Sequence, residues 1–500
     1  MTSVTEISPF DLPPDQRVGP DPKRWLALAV IAVAQLMVVL DASIVNIALP
    51  SAQHALHIST DNRQWMVTAY TLSFGSLLLL GGRIADYAGR KRVFIIGLIG
   101  FAGASALGGA AVNAPMLFGA RALQGAFGAL LAPAALSLIS VTFTEIKERS
   151  TAFGVYGAIA GGGAAIGLIL GGVLTQYASW RWCLFVNVPI AAITALVAIP
   201  VVRESKAHGN TRYDIPGTVT VTAGLVALVY GFTRAATDGW AAPVTLACLG
   251  VAAVFLVAFV IIESKSEHAL LPMRVILNRN RGGSYLSSFM VGAGLLGMFL
   301  FLTYYFQANL GYSALKSGFA FLPFSVGIIL AAGMSSKVLP RTGPRPLMAG
   351  GFAAAALGMI WLSQIGPHTA YALHVLPAEL LISLGMGTAF VPMSSTALFR
   401  VDGHDAGVAS AMVNTTQQVG GSLGTALLNT VAASATASYL ASRIHTPAVV
   451  EAAQVHGYSI GFLVGAACLA IATLSAIFLV TATRADLADV DGVSGEVVLV

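Results

Sequence analysis

Charged residues are scarce in this sequence. Asp, Glu, Lys and Arg make up 10% of its 500 residues, whereas hydrophobic residues make up 56%. A soluble globular domain carries about 25% charged residues. The composition therefore excludes a soluble protein with a single anchor, and it indicates a chain that crosses a membrane many times. The mean hydropathy of +0.79 agrees with this interpretation.

Several chemical motifs are also missing. The three cysteines are far apart in apolar segments, at Cys183, Cys248 and Cys468, so we predict neither a zinc site nor a disulfide framework. The sequence contains no GxxxxGK motif followed by Ser or Thr and no HExxH motif, so it has no ATP or zinc-protease signature of its own. The pI of 9.1 does not indicate nucleic-acid binding, because the basic residues lie in short loops between apolar runs.

Fourteen apolar runs are long enough to cross a membrane. Lipid cannot satisfy an open backbone, so each run is predicted to be a helix and the fold an all-α polytopic membrane protein. The predicted spans are residues 25–49, 65–80, 93–112, 116–141, 151–174, 182–202, 216–233, 243–262, 283–306, 317–339, 346–365, 371–398, 406–433 and 457–480.

The basic residues predict the orientation. If residues 1–24 lie in the cytoplasm, that side holds 21 Lys and Arg, the outside holds five, and Arg121 lies within the membrane. Cytoplasmic loops carry an excess of Lys and Arg. Both termini are therefore predicted to be cytoplasmic, as an even number of spans requires.

Two loops of the chain are related by a shift of 254 residues. The shift places Gly89 on Gly343 and Lys91 on Arg345. This predicts two parallel six-helix repeats with two helices inserted between them, an arrangement typical of secondary transporters. The predicted units are a cytoplasmic tail (1–24), an N-terminal half (25–202), the inserted pair with its loops (203–282), a C-terminal half (283–480) and a second tail (481–500).

Five motifs resemble those of one family. GRIADYAGRKR at 82–92 resembles the signature loop of the major facilitator superfamily, and LDASIVNIALP at 40–50 is similar to the first-helix motif of its fourteen-helix drug:proton antiporter branch. RALQGAFG at 121–128, WRWCLFVNVP at 180–189 and NTTQQVG at 414–420 are similar to further motifs of that branch. The resemblance covers almost the whole chain, in the correct order.

The resemblance implies a secondary active transporter and not an enzyme. Its implied role is proton-driven export of lipophilic, possibly cationic small molecules from a bacterium, giving multidrug or antibiotic resistance. The implied partners are the substrate, protons and membrane lipid, with no cofactor, metal or nucleic acid, and the protein is expected to be a monomer in the cell membrane. The sequence GLILGG at 167–172 lacks the proline of the family's antiporter motif. A facilitator of the same fold for one metabolite or lipid therefore remains the alternative.

Asp41 is a charged residue within the first span. At a rise of about 1.5 Å per residue it lies about 24 Å from Trp25, inside a hydrocarbon layer about 30 Å thick. An ionisable residue at that depth is a functional-site hypothesis by default. Arg121 lies at a similar depth in the fourth span, so we predict that Asp41 binds a proton under the influence of Arg121. The alternative is a static ion pair.

Glu379 is the acid well inside the second half. It lies about eight residues from the outer end of the twelfth span. It could carry a second proton or bind a cationic substrate. The alternative is a carboxylate in a wet outer vestibule.

The remaining predicted residues form three groups. A cytoplasmic latch is implied for Gly82, Asp86, Gly89, Arg90 and Lys91, with Asp86 facing the start of the helix near Ala406. Close helix packing is predicted for Gly157, Gly161, Gly167 and Gly171, with or without a gating role. A substrate cavity is predicted to be lined by Tyr70, Gln124, Tyr156, Tyr304, Tyr305, Asn414 and Gln417.

Overall fold

The structure is a computed structural model. It describes residues 22–60, 62–143, 145–206, 214–266, 276–397, 399, 401 and 406–483. The two predicted tails lie almost entirely outside these ranges. All regular structure within them is helical, so the all-α prediction is confirmed.

The described residues form fourteen helical segments. Six precede the inserted pair: α1 (Arg24–Ala55), α2 (Trp65–Ala88), α3 (Arg90–Gly109), α4 (Ala114–Thr142), α5 (Ile146–Tyr177) and α6 (Trp182–Val201). The inserted pair is α7 (Ile215–Asp238) and α8 (Pro243–Lys265). Six follow: α9 (Arg279–Asn309), α10 (Ala314–Thr342), α11 (Pro344–Leu362), α12 (Tyr371–Ala397), α13 (Ala406–Leu440) and α14 (Pro447–Phe478).

Most of these segments are long and apolar enough to cross a membrane. Within the described ranges, eleven meet that requirement alone, and α2 makes a twelfth if its two parts, bent by 54°, form one span. The apolar portion of α5 in the described residues is Gly163–Tyr177. α13 is 35 residues long but rich in Ser, Thr, Asn and Gln. The helices are thus compatible with fourteen spans.

Two glycines break the chain at related positions. Gly89 separates α2 from α3 with a φ of 115°, and Gly343 separates α10 from α11 with a φ of 78°. Both angles lie in the region that glycine adopts without steric cost. The prediction that residues 82–92 form a loop was wrong in extent, because Gly82 and Asp86 belong to the last turns of α2 and Arg90 begins α3.

Helix packing repeats with an offset of eight helices. In the first half α1 packs on α5, α2 on α4, α3 on α4, and both α1 and α3 on α6. In the second half α9 packs on α13, α10 on α12, α11 on α12, and both α9 and α11 on α14. Each half is therefore built to the same plan, as a parallel repeat requires.

The two halves meet mainly along two helix pairs. α2 packs on α13, and α5 packs on α10. The inserted helix α7 lies against both α2 and α13, where Leu225 and Val229 form a small buried cluster with Leu72 and Ala426. The inserted helix α7 therefore lies against one of these two helix pairs.

Candidate functional site

An ion pair lies inside the N-terminal half. Arg121 Nη1 is 2.6 Å from Asp41 Oδ2, and the two side chains are 2% and 0% exposed. The helix positions predicted from sequence thus bring the two residues into contact. A charged group within a membrane is costly, and pairing with an opposite charge is the usual way to keep it there.

Two amides complete the hydrogen bonding of Asp41. Gln124 Nε2 donates to Asp41 Oδ1 at 2.9 Å, and Asn187 Nδ2 donates to the same oxygen at 2.7 Å. Gln124 Nε2 also lies 2.7 Å from Ser105 Oγ. Helices α1, α3, α4 and α6 each supply one or more of these groups. The carboxylate is therefore held by one charged and two neutral donors, all buried.

Arg121 is itself fixed from several sides. Its Nε donates to the Met66 carbonyl oxygen at 3.0 Å, and its Nη1 donates to Gln124 Oε1 at 2.9 Å. The guanidinium carbon lies 4.5 Å from the centre of the Tyr70 ring, within cation–π range. At Gly125 a Cβ would collide with the Tyr70 carbonyl oxygen. Glycine at this position thus lets α2 and α4 approach closely enough to form the site.

A small cavity of about 20 Å³ lies beside Arg121. This is room for about one water molecule. Its lining includes Val45, Ala48 and Leu49, which follow Asp41 along α1 toward the predicted outer side, together with Trp180 and Cys183. The cavity therefore lies between the ion pair and the outer end of the half.

The two halves are joined by polar contacts that extend from their predicted outer ends to the middle of α13. Thr71 Oγ1 and Ser422 Oγ are 2.6 Å apart, and Gln307 Nε2 donates to the Ile47 carbonyl oxygen at 3.0 Å. Asn429 Nδ2 donates to Gln64 Oε1 at 2.7 Å. We call these contacts, together with those of Arg63 described next, the outer seam.

Arg63 lies at the centre of the outer seam. It is 5% exposed, its Nε donates to Asn429 Oδ1 at 3.4 Å, and its guanidinium carbon lies 4.1 Å from the centre of the Tyr304 ring. One side chain from the N-terminal half thus contacts both α13 and α9 of the other half. These contacts hold the two halves together on the predicted outer side.

Arg63→Gln is expected to open the outer seam more often. A desolvated cation–π contact is worth about 2 kcal/mol, and about 1.4 kcal/mol is tenfold in an equilibrium. The reporter is Ser422→Cys, introduced after the three native cysteines are replaced by Ala. We therefore expect Arg63→Gln to raise labelling of this cysteine, by a membrane-impermeant maleimide applied from outside, by about tenfold or more. Arg443→Gln is the control, since the side chain of Arg443, just past the end of α13, contacts only Tyr439 in the described hydrogen bonds and ring contacts. Equal labelling in both variants would contradict the role of Arg63.

Glu379 lies in the C-terminal half, apart from the Asp41 ion pair. It is 0% exposed, and the described hydrogen bond to its side chain comes from the Tyr371 hydroxyl, 3.5 Å from Oε2. No described contact connects it to Asp41 or Arg121. The three residues predicted to couple protons thus form two separate sites, one in each half.

Comparison with known proteins decides the family. The family model of the Major Facilitator Superfamily matches residues 31–425. A puromycin resistance protein of Streptomyces alboniger is 49% identical over 477 residues, which are 95% of this chain and 94% of that protein. This chain belongs to the Major Facilitator Superfamily. It is a membrane transporter and not an enzyme, as the sequence motifs predicted.

Other relatives and solved structures agree. A cephamycin export protein of Amycolatopsis lactamdurans is 38% identical and covers 82% of this chain and 85% of that protein. A bacterial homologue of the human lysosomal transporter Spinster has a TM-score of 0.65 at 15% identity, covering 94% of this chain and 99% of that one. An autoinhibited peptide transporter has the same TM-score at 14% identity, covering 89% and 96%. At these identities the structures show a shared fold.

The signature segment of the superfamily, residues 82–92, lies where α2 ends and α3 begins, on the predicted cytoplasmic side. Asp86 Oδ1 accepts from Arg90 Nε at 3.0 Å and from Arg90 Nη2 at 2.8 Å. Asp86 therefore pairs with Arg90 in the structure, whereas it was expected to face the start of α13 near Ala406; residues 402–405 lie outside the described residues. The side chain of Lys91 donates to the Ile199 carbonyl oxygen at 2.6 Å.

Glu204 binds the signature segment, a contact that the sequence analysis missed. Its carboxylate oxygens accept from the backbone N–H groups of Lys91 and Arg92, each at 3.1 Å. A carboxylate at a helix N-terminus satisfies free donors and complements the helix dipole. Glu204 follows the sixth predicted span and lies 113 residues after Lys91, so no local motif connects the two.

The glycine-rich face of α5 packs on α1 beside Asp41. A Cβ at Gly167 would collide with Ser43 Oγ, and one at Gly171 would lie 2.8 Å from the Ile44 carbonyl oxygen. Gly172 instead faces Leu315 on α10. α5 therefore lies between α1 and the other half. The surroundings of Gly157 and Gly161 lie outside the described residues.

The seven residues predicted to line a cavity occupy different places. Tyr70 and Gln124 are buried around the Asp41 ion pair, and Tyr304 is buried in the outer seam. The Tyr305 hydroxyl donates to the Gly366 carbonyl oxygen at 2.8 Å. The other three are not fully buried: Tyr156, which donates to Gln35 Oε1 at 2.7 Å, Asn414 and Gln417.

Proposed function

We propose that this transporter exports lipophilic, possibly cationic antibiotics from a bacterial cell in exchange for protons. The observation that carries the proposal is Asp41, a completely buried carboxylate paired with Arg121 and accepting from two amides. The names of relatives support the substrate class, since they include puromycin resistance, cephamycin export and lincomycin resistance proteins.

The chemistry of the site supports proton coupling. As an anion, Asp41 accepts from Arg121, Gln124 and Asn187, which belong to α4 and α6. A proton on Asp41 removes its attraction to the guanidinium and weakens the link from α1 to these helices. The charged and neutral forms therefore favour different helix arrangements. A ligand that binds one arrangement better shifts the equilibrium toward it.

The remaining features of the proposal follow from the sequence. The excess of Lys and Arg in alternate loops supports cytoplasmic termini and a place in the cell membrane. We propose that the protein acts as a monomer, since one chain supplies both six-helix halves of the fold. Membrane lipid surrounds it, and the proton gradient supplies the energy in place of a cofactor.

Uptake by inverted membrane vesicles tests the proposal. Vesicles with and without the protein are given an acidic interior, and the probes are ethidium and radiolabelled puromycin. We expect accumulation that depends on the protein and collapses on addition of a protonophore. Uptake that requires the protein but ignores the gradient would instead support the facilitator, which the missing proline of residues 167–172 favours. Failure of both probes to accumulate above the level of empty vesicles would contradict the proposal.

A further inference from the structure

Glu379 has far fewer hydrogen bonds than a buried carboxylate anion requires. Its side chain is completely buried on α12, and its Oε1 has no hydrogen-bond partner among the described residues. Its Oε2 lies 3.5 Å from the Tyr371 hydroxyl, which is the outer limit for a hydrogen bond. Within the described residues Glu379 forms no ion pair.

The hydroxyl of Tyr371 already donates a shorter hydrogen bond elsewhere. Tyr371 donates to the Ala320 carbonyl oxygen at 2.7 Å, a shorter distance than that to Glu379. A tyrosine has a single hydroxyl proton but can also accept. As a carboxylic acid, Glu379 could donate its own proton to the phenol oxygen. As a carboxylate, it would have to compete with the Ala320 carbonyl oxygen for the single hydroxyl hydrogen of Tyr371.

The surroundings of Glu379 are aromatic and apolar. Tyr371 packs on Phe306, with ring centres 5.9 Å apart, and Phe306 packs on Phe321 at 5.2 Å. On the side of α11, a Cβ at Gly358 would lie 3.0 Å from the Ala378 carbonyl oxygen. This is an environment of low dielectric constant, in which an ionised carboxylate without a partner is strongly destabilised.

The titratable groups of the neighbouring elements face elsewhere. His374, on the turn before Glu379, contacts the Trp361 carbonyl oxygen of α11 at 3.2 Å. Lys316, at the start of α10, lies 3.7 Å from the centre of the Tyr312 ring, and Tyr312 stacks on Phe306. Tyr371 is thus the titratable side chain in contact with Glu379 in the described residues.

We propose that Glu379 is a second proton-binding site, located in the C-terminal half. With the outer seam closed, it carries its proton as a neutral carboxylic acid. In another conformation it is hydrated and releases the proton. The cycle then exchanges two protons for each substrate molecule, one at Asp41 and one at Glu379. This inference rests on the proton exchange proposed above.

The backbone next to Glu379 provides a place for such a change. Residues Tyr371–Val375 form a π-helical turn directly before Leu376, and Phe306, which packs on Tyr371, lies in a second π-helical turn, Tyr305–Asn309. Single π-helical turns are frequent at functional sites. Tyr371 is half-buried, so a rearrangement of this turn connects Glu379 to water on the predicted outer side.

Infrared spectroscopy of the purified full-length protein tests the protonation directly. We expect the carbonyl-stretch band of a buried carboxylic acid at neutral pH in the wild type and in Asp41→Asn. The band should be missing from Glu379→Gln and shifted in frequency in Tyr371→Phe, which removes the phenol oxygen as an acceptor. Absence of the band from the wild type, or its persistence in Glu379→Gln, would overturn the proposal. This measurement does not depend on transport.

Accumulation in proteoliposomes tests the number of protons. With the membrane potential held at zero, a difference of 1 pH unit supplies about 1.36 kcal/mol per proton. Two protons therefore support up to about 100-fold accumulation of ethidium, and one proton up to about tenfold. We expect the wild type to exceed tenfold and Glu379→Gln to stay below it. A wild type that never exceeds tenfold, or a variant that matches an accumulation above tenfold, would overturn the second site. Loss of all gradient-driven uptake by the wild type would instead contradict the proposed function.

Discussion

Asp41→Asn is expected to abolish proton-driven export. The amide cannot bind and release a proton, and it lacks the charge that attracts Arg121 in the present structure. Coupling between two ligands of a protein is typically worth about 5- to 150-fold. Uptake of ethidium or puromycin by inverted vesicles with an acidic interior should therefore fall by about 10- to 100-fold, to a level that a protonophore no longer changes.

A surface aspartate provides the matched control. Asp238 forms an ion pair with Arg234 one turn earlier, at 2.6 Å, with both side chains about one third exposed. An exposed pair contributes little, so Asp238→Asn should transport like the wild type. Both variants must be present in the membrane in equal amounts. If Asp41→Asn still accumulates substrate in response to the gradient, Asp41 is a structural residue and the proton site lies elsewhere.

The sequence alone was sufficient to predict the contact between Asp41 and Arg121. Helical rise fixes the depth of each residue once the ends of an apolar run are known, and two opposite charges at one depth within a membrane are expected to pair. The relation of Gly89 to Gly343 also followed from the sequence, because a shift of 254 residues aligns both a glycine and a basic residue of the two segments. These predictions depend on charge and on backbone constraint, which are explicit in the residue types.

The partners of the ion pair were less predictable. Ser105 and Asn187 are neutral and lie in apolar spans, where such residues commonly join helices. Nothing in the sequence specifies which side of α3 or α6 faces α1. Helix ends were misjudged for a related reason: charged residues such as Asp86 and Arg83 indicate the water interface, but a helix can continue past it, and α2 runs on to Ala88.

Arg121→Met is expected to cause the largest loss of stability. Removing one partner of a buried ion pair leaves the other charge without compensation and costs about 3–5 kcal/mol. Asp41 would retain only the amides of Gln124 and Asn187. We expect a markedly lower unfolding temperature for the purified protein at neutral pH.

The double variant Asp41→Asn with Arg121→Met distinguishes the effect of the ion pair on stability from its effect on transport. Both charges are gone, so the desolvation penalty is gone with them, and stability should return toward that of the wild type. Proton-driven uptake should not return, because no group at this position can bind a proton. A double variant that is no more stable than Arg121→Met alone would show that Arg121 acts through its contacts with Met66 and Tyr70. Recovery of stability without transport would show that the ion pair is retained for proton exchange and not for folding.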